Sequence, residues 1–199
     1  MAKERIIEIA GKLFSQRGYD GVSMGEIAKA VGLTKAAIYY HFKDKKALYE
    51  AVILSRLDKL VERIERIDLA DPTSALRSYI ITYGTFLQEY PCFASLLARE
   101  LIDGGVHMRE SFILLAKTLE ILTKIINEGI DKKLFEPSNP MLVQMMIVST
   151  LLMHQTTYKV RERVSSLVDG YPLLPEPKME QIAQELASKI EKIIRRDRR

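Results

Sequence analysis

An all-α fold is predicted, and three observations predict it. Apolar residues recur at helical spacing almost everywhere along the 199 residues. No segment shows the sustained alternation, or the β-branched run between turn signals, that a strand needs. Cap and breaker residues then divide the chain into about nine helices.

The first helix carries Ile6, Ile7, Ala10, Leu13 and Phe14 on one side and stops at Gly18, a residue suited to the left-handed position after a helix end. Ser23 opens the second helix, with Glu26 three residues on to close a capping box, and Gly32 ends it after Val31. Thr34 caps a third short helix reaching Phe42, and Asp44 caps a longer fourth carrying Leu48, Val52, Leu60, Val61, Ile64 and Ile67. Asp71-Pro72, a cap followed by proline in the first turn, begins a fifth through Leu76, Ile80, Tyr83 and Leu87, which Pro91 interrupts. A sixth runs to about Leu101 ahead of Gly104 and Gly105, and a long seventh spans roughly Met108 to Lys133, with Gly129 as its weak point. Asn139-Pro140 repeats the cap-and-proline signal and starts an eighth, running to about Ser165. A loop with Gly170, Pro172, Pro175 and Pro177 precedes the last helix, whose Met179, Ile182, Ala183, Leu186, Ile190, Ile193 and Ile194 form one stripe. The tail RRDRR is expected to be frayed and solvated.

A chain of this length buries a sizeable core without disulfides or metal. The single cysteine, Cys92, rules out an intramolecular disulfide and a multi-cysteine metal site, and is expected to be a buried small apolar residue. The N-terminus alternates charged with apolar residues, unlike a secretory signal, and no uninterrupted apolar run of about eighteen residues exists to span a bilayer. A cytoplasmic location without membrane attachment is expected. The net charge of +4 and pI near 9.0 suit a polyanionic partner only if the charge is suitably placed.

That placement points to nucleic acid. Residues 23 to 42 make two short helices joined at Val31-Gly32-Leu33-Thr34, the length and glycine of a helix-turn-helix connection. With Ile38 and Phe42 as the core face of the third helix and about 100° between successive side chains, Tyr40 points away from the core. Ala36 and Ala37 lie beside Tyr40, and Tyr39 and His41 on the flanks. Small residues admit a backbone closely to the major groove, while tyrosine hydroxyls and an imidazole can donate to phosphates and base edges. Lys45 and Lys46 stand in the first turn of the fourth helix and Lys35 in that of the third. The helix dipole disfavours cations there, by some tenths of a kcal/mol each, and a phosphate held between lysine and helix amides offsets that cost.

Here the sequence also resembles a known family. The first helix ending in F-x-x-x-G, Phe14 to Gly18, followed by VSMGEIAKAVGLTKAAIYYHFKDKKAL, is similar to the DNA-binding domain of TetR-family regulators. The resemblance implies that Ser23, Met24, Tyr39, His41 and Lys45 lie near the DNA backbone, and that Thr34, Lys35, Ala36, Ala37 and Tyr40 face the groove. Many members carry threonine at the position of Met24, so here the phosphate contact falls to Ser23 and the backbone amide. The resemblance divides the chain into a helix-turn-helix DNA-binding domain (1–48) and an effector-binding and dimerisation domain (49–199). It also implies a ligand-responsive regulator, usually a repressor, which binds palindromic double-stranded operator DNA as a homodimer.

The eighth helix is apolar nearly all round and must be covered on more than one side. A homodimer through the last two helices, the eighth and the striped final one, would do so as a four-helix interface; burial inside a large monomer is the alternative. An unidentified, largely apolar small-molecule effector is expected among Tyr83, Phe86, Tyr90, Phe93, Phe112, Met146 and Met153, residues that suit an ordinary core as well. His107, after a glycine turn, reads as a solvated loop histidine, and His154 as a satisfied buried one. No H-E-x-x-H or P-loop arrangement is present, no nucleophile is visibly paired with a base, and the spacing of Glu100, Asp103 and His107 matches no ligand pattern, so neither catalysis, nor a metal, nor a cofactor is expected. The competing readings are an all-helical protein-interaction module and a small enzyme with an unrecognised site.

Overall fold

The computed structural model describes residues 2–170 and 176–196. Among them are ten helices and no strand: α1 (Ala2–Arg17), α2 (Met24–Val31), α3 (Lys35–His41), α4 (Lys45–Glu65), α5 (Pro72–Glu89), α6 (Pro91–Ile102), α7 (Phe112–Asp131), α8 (Pro140–Thr156), α9 (Tyr158–Ser165) and α10 (Met179–Ile194). They form two compact units, one of Met1–Lys59 with Cys92–Leu115, the other of Leu60–Pro91 with Ala116–Arg199.

In the first unit the expected caps are in place. Ser23 Oγ accepts from the Glu26 N–H at 3.2 Å while Glu26 Oε2 accepts from the Ser23 N–H at 2.8 Å, a complete capping box. Gly32 takes φ 76°, which lets the chain leave α2 and turn directly into α3, and only glycine does so without strain. Thr34 Oγ1 accepts from the Ala37 N–H at 3.2 Å and Asp44 from the Ala47 N–H at 2.7 Å, so α3 and α4 start where the sequence says. Ile6, Phe14, Ile27, Val31, Ile38, Leu48 and Ile53 are buried. Cys92 is half-buried, not fully buried as expected, because it stands in the first turn of α6 next to exposed Pro91.

The second unit is built on α5, α8 and α10, with Gly84 of α5 turned toward Ala183 of α10 and Leu151 of α8. Asp71 caps α5 through the Ser74 N–H at 3.0 Å, and Asn139 caps α8 through the Met141 N–H at 2.9 Å. The expected long eighth helix is two helices, which raises the count from about nine to ten. Thr157 leaves helical geometry at φ −116° and ψ 21°. Its N–H at 3.0 Å, its hydroxyl at 2.6 Å and the Arg161 guanidinium at 2.9 Å all converge on the Met153 carbonyl. The Thr156 hydroxyl takes the Leu152 carbonyl at 2.7 Å. Adjacent threonines that bond back to the preceding turn compete with the helical ladder and break it here.

Gly129 is not a weak point of α7. The Phe135 ring packs on its Cα, so that an added Cβ would lie 2.0 Å from Phe135 Cδ2. The segment after α7 is then clipped to the end of α10: Glu136 N–H donates to the Ile194 carbonyl at 2.7 Å and Arg196 N–H to the Leu134 carbonyl at 2.9 Å. Pro172 and Pro175 of the expected loop, and the tail from Asp197, lie outside the described residues.

Candidate nucleic-acid interface

Charge along the chain is uneven. Residues 1–48 hold nine lysines and arginines against five acidic residues, and the rest balances twenty-one against twenty-one, so the whole +4 belongs to the helix-turn-helix segment. Within α3, Ile38 is fully buried and Phe42, its C-cap, is 4% exposed, while Tyr40 is 86% and Tyr39 48% exposed. Thr34, Lys35 and Ala36 are exposed, and Ala37 and His41 half-buried. The Tyr40 and His41 rings meet edge-on at 5.2 Å. A seven-residue helix thus presents Tyr40 and Ala36 outward with Tyr39 and the half-buried Ala37 on its flanks, a shape that a wide groove can accept.

The N-terminus of α2 lies beside that surface. Ser23 Oγ accepts from the Glu26 N–H and stands at the helix start, where a phosphate can compete for its hydroxyl hydrogen. Met24 is 6% exposed, so its side chain is core and only its backbone is available at the helix start. Lys35 lies over the same turn: a Cβ on Gly25 would come within 3.1 Å of Lys35 Cε and 3.8 Å of Ser23 Oγ. Serine hydroxyl, helix-start amides and an ammonium therefore converge on one patch, a suitable cradle for a phosphate.

The cap under this patch is held electrostatically. The Ser23 N–H, the Arg17 guanidinium at 2.7 Å and the Ser23 hydroxyl hold the Glu26 carboxyl down at about 2. The folded value lies below the unfolded one near 4.5, so this contribution to stability is complete above pH 4.5 and is lost as pH falls toward 2. Acid unfolding of Glu26→Gln should accordingly show a shallower pH dependence than wild type between those limits, as followed by circular dichroism.

Lys45 is not a free surface cation. Its Nζ donates to the Tyr19 carbonyl at 3.0 Å and stands 4.2 Å from the centre of the Tyr19 ring. The Tyr19 ring in turn lies 4.1 Å from the His107 ring and meets the edge of Tyr49 at 5.1 Å. His107 is not the solvated loop residue expected: its Nδ1 is 3.0 Å from Glu100 Oε1 and its backbone N–H donates to Glu100 Oε2 at 3.0 Å. Glu100 is only 2% exposed. A carboxylate only accepts, so an ionised Glu100 requires the proton on Nδ1. Burial, and then the Glu100 carboxylate beside it, push the Tyr49 phenol far above its usual range, so its hydroxyl stays protonated and donates to Glu100. Sequence reasoning did not find Tyr19, Glu100 or His107 as partners of Lys45, because nothing local links residues so distant in the chain. Among the described residues no group of three metal-ligating side chains occurs.

The seven residues expected around an effector are shared between the two units. Phe93, buried, and Phe112, 48% exposed, belong to the first unit; Tyr83, Phe86, Tyr90, Met146 and Met153 belong to the second. Phe86 and Tyr90 pack ring to ring at 4.7 Å, Met146 is half-buried and Met153 55% exposed. Tyr83 is buried in a polar network. Its hydroxyl is 3.5 Å from Thr118 Oγ1 and 3.4 Å from Gln144 Nε2, and the Tyr79 hydroxyl lies 2.8 Å from Gln144 Oε1. A groove of about 240 Å³ in the second unit is lined by Ile64, Ile67, Leu69 and Ile121, with Glu65, Lys117, Glu120 and Lys124 beside them. No helix among the described residues is long and apolar enough to cross a membrane.

Comparison with known proteins agrees with this geometry. Residues 6–52 match the family model of bacterial regulatory proteins, tetR family. The chain is 32% identical over 139 residues to the HTH-type transcriptional repressor NicS of Pseudomonas putida, covering 67% of this chain and 65% of NicS. It is 47% identical over 58 residues to the biofilm operon icaADBC HTH-type negative transcriptional regulator IcaR of Staphylococcus aureus, covering 29% and 31% of the two chains. The chain thus spans just under two thirds of the length of NicS and about a third of IcaR. The crystal structure of the TetR family transcriptional regulator PfmR from Thermus thermophilus superposes over 94% of this chain and 97% of that one, with a TM-score of 0.73 and 26% identity. With its match concentrated on α1 to α4 and an all-helical layout shared along almost its full length, the chain belongs to the TetR family of bacterial regulators.

Proposed function

We propose that this protein is a sequence-specific, ligand-responsive transcriptional repressor that binds a palindromic operator as a homodimer. The observation that carries the reading is the outward face of α3, where Tyr40 is 86% exposed among small residues in the segment that holds all of the net charge. Repression is supported by the likeness to NicS and IcaR, both named as repressors or negative regulators. Residues 1–48 read DNA, with Thr34, Lys35, Ala36, Ala37 and Tyr40 toward the groove and Ser23, the Met24 amide, Tyr39, His41 and Lys45 toward the phosphates. Residues 49–199 dimerise and sense, and the protein works in the cytoplasm, where its DNA is, without catalysis.

Dimerisation is supported by the outer face of α8, where Met141, Leu142, Met145 and Met153 are each at least half exposed, and by Ile193 of α10 at 65%. Exposed apolar area of this kind marks an association surface. The effector is an uncharged or largely apolar small molecule bound in the helical bundle, for which the polar Tyr83–Thr118–Gln144 network offers orienting hydrogen bonds. An effector that prefers one bundle arrangement would change the spacing of the two recognition helices, which must match half-sites about one helical turn or a multiple apart. Effector and operator would then weaken each other's binding reciprocally.

A binding selection on genomic fragments with the purified protein should return a palindromic site. On that site log K is expected to fall with log[salt] at about −0.9 per neutralised phosphate. Tyr40→Ala should weaken binding about tenfold or more with an unchanged slope, since it removes a groove contact. Enrichment of no site, together with a flat salt dependence, would replace this reading by a protein-interaction module.

A further inference from the structure

We infer that His107, held by buried Glu100, is a positioning residue for Lys45, setting the ammonium's place on the DNA-binding surface through the Tyr19 ring; this rests on the DNA-binding reading above. The chain of contacts is continuous and lies within one compact unit. Glu100 fixes the imidazole by two bonds of 3.0 Å, one to Nδ1 and one to the backbone N–H of the same residue. The imidazole lies 4.1 Å from the Tyr19 ring, tilted by 31°. Tyr19 then holds Lys45 twice, by its carbonyl at 3.0 Å and by its ring face at 4.2 Å.

Each link has a reason. A buried carboxylate is tolerable only when its lone pairs are filled, and His107 and Tyr49 fill them, so Glu100 is a fixed anchor. An unrestrained lysine side chain loses rotamer entropy when a phosphate fixes it. Lys46, its exposed neighbour, pays that cost on meeting a phosphate, whereas the Tyr19 carbonyl and ring have already restricted Lys45. Three donors on the ammonium and one acceptor used leave two for a phosphate. Residues of α6 and of the turn after it, remote in sequence from the helix-turn-helix, therefore govern one of its phosphate contacts.

The test is a double-mutant cycle on the full-length protein, titrated with salt against a fluorescent duplex of roughly 30 base pairs, long enough for two half-sites. Lys45→Ala should flatten the salt slope by about 2 per dimer, one phosphate for each half-site. His107→Gln, which keeps a donor toward Glu100 but removes the ring, should flatten it by a similar amount, and the double variant should be no flatter than Lys45→Ala alone. Tyr19→Leu reaches the same link from the other side and should also lose its effect in the Lys45→Ala background, which keeps the test open if either variant folds poorly. Helical content and thermal unfolding report folding separately. A His107→Gln slope equal to wild type, or effects that add to those of Lys45→Ala, would overturn the inference while leaving DNA binding intact. A flat wild-type slope would overturn the DNA-binding reading and this inference with it.

Discussion

Met145→Glu is expected to convert the proposed dimer into a monomer and to lower operator affinity by about 10² to 10⁴, the advantage that a tethered second half-site confers. Met145 is 60% exposed at the middle of the outer face of α8, with Leu142 at 57% one turn before it. Under two-fold symmetry a residue near the axis meets its own counterpart, so one substitution puts two carboxylates into a surface whose neighbours are methionine and leucine. Burying them without partners costs several kcal/mol, more than the loss of one apolar contact. Sedimentation at micromolar concentration, beside a binding titration, reads both effects. Met145→Leu, which conserves volume and polarity, should leave both unchanged. A Met145→Glu protein that remains dimeric with full operator affinity would place the interface elsewhere, for which the exposed Val160, Val164 and Leu167 at and beyond α9 are the next surface.

Much of this architecture was legible in the sequence because helix ends are local. Ser23 with Glu26, Thr34, Asp71-Pro72 and Asn139-Pro140 each begin the helix they were expected to begin, since a cap bonds within three residues of itself. The inward and outward sides of α3 were legible for the same reason: Ile38 and Phe42 fix the phase and Tyr40 follows. What was missed depends on contacts at long range. The anchor of Lys45 runs through Tyr19, His107 and Glu100, and no periodicity links the start of α4 to the turn after α6. The break at Thr157 was missed because apolar periodicity is blind to two hydroxyls turned back on their own helix. The seven aromatic and methionine residues grouped around an effector shared composition and helical position, and neither of those says which helices approach one another.

Gly129 shows how far a local rule can mislead, and it supports the second large prediction. Helix propensity alone says that Gly129→Ala should stabilise α7 by about 1 kcal/mol. In the folded protein the new Cβ would lie 2.0 Å from Cδ2, 2.4 Å from Cε2 and 2.7 Å from Cγ of Phe135, so the ring must move. It has little room to do so. Phe135 is 2% exposed, its N–H donates to the Gly129 carbonyl at 3.0 Å, and its neighbours Leu134 and Glu136 are bonded to the end of α10. Displacing a buried phenylalanine forfeits about 1.5–3 kcal/mol of burial, with further strain from the forced packing, so the clash outweighs the propensity gain. The expected net loss is about 2–4 kcal/mol, which for a chain of this size lowers Tm by roughly 5–12 °C. The decisive variant is the pair. Phe135→Ala alone should cost about 3–5 kcal/mol, but once the ring is gone Gly129→Ala has nothing to strike, and its effect should reverse sign to a stabilisation of up to about 1 kcal/mol. Chemical denaturation of the four proteins measures that reversal. If Gly129→Ala is destabilising to the same degree with and without the Phe135 ring, the ring is not what requires glycine at this position.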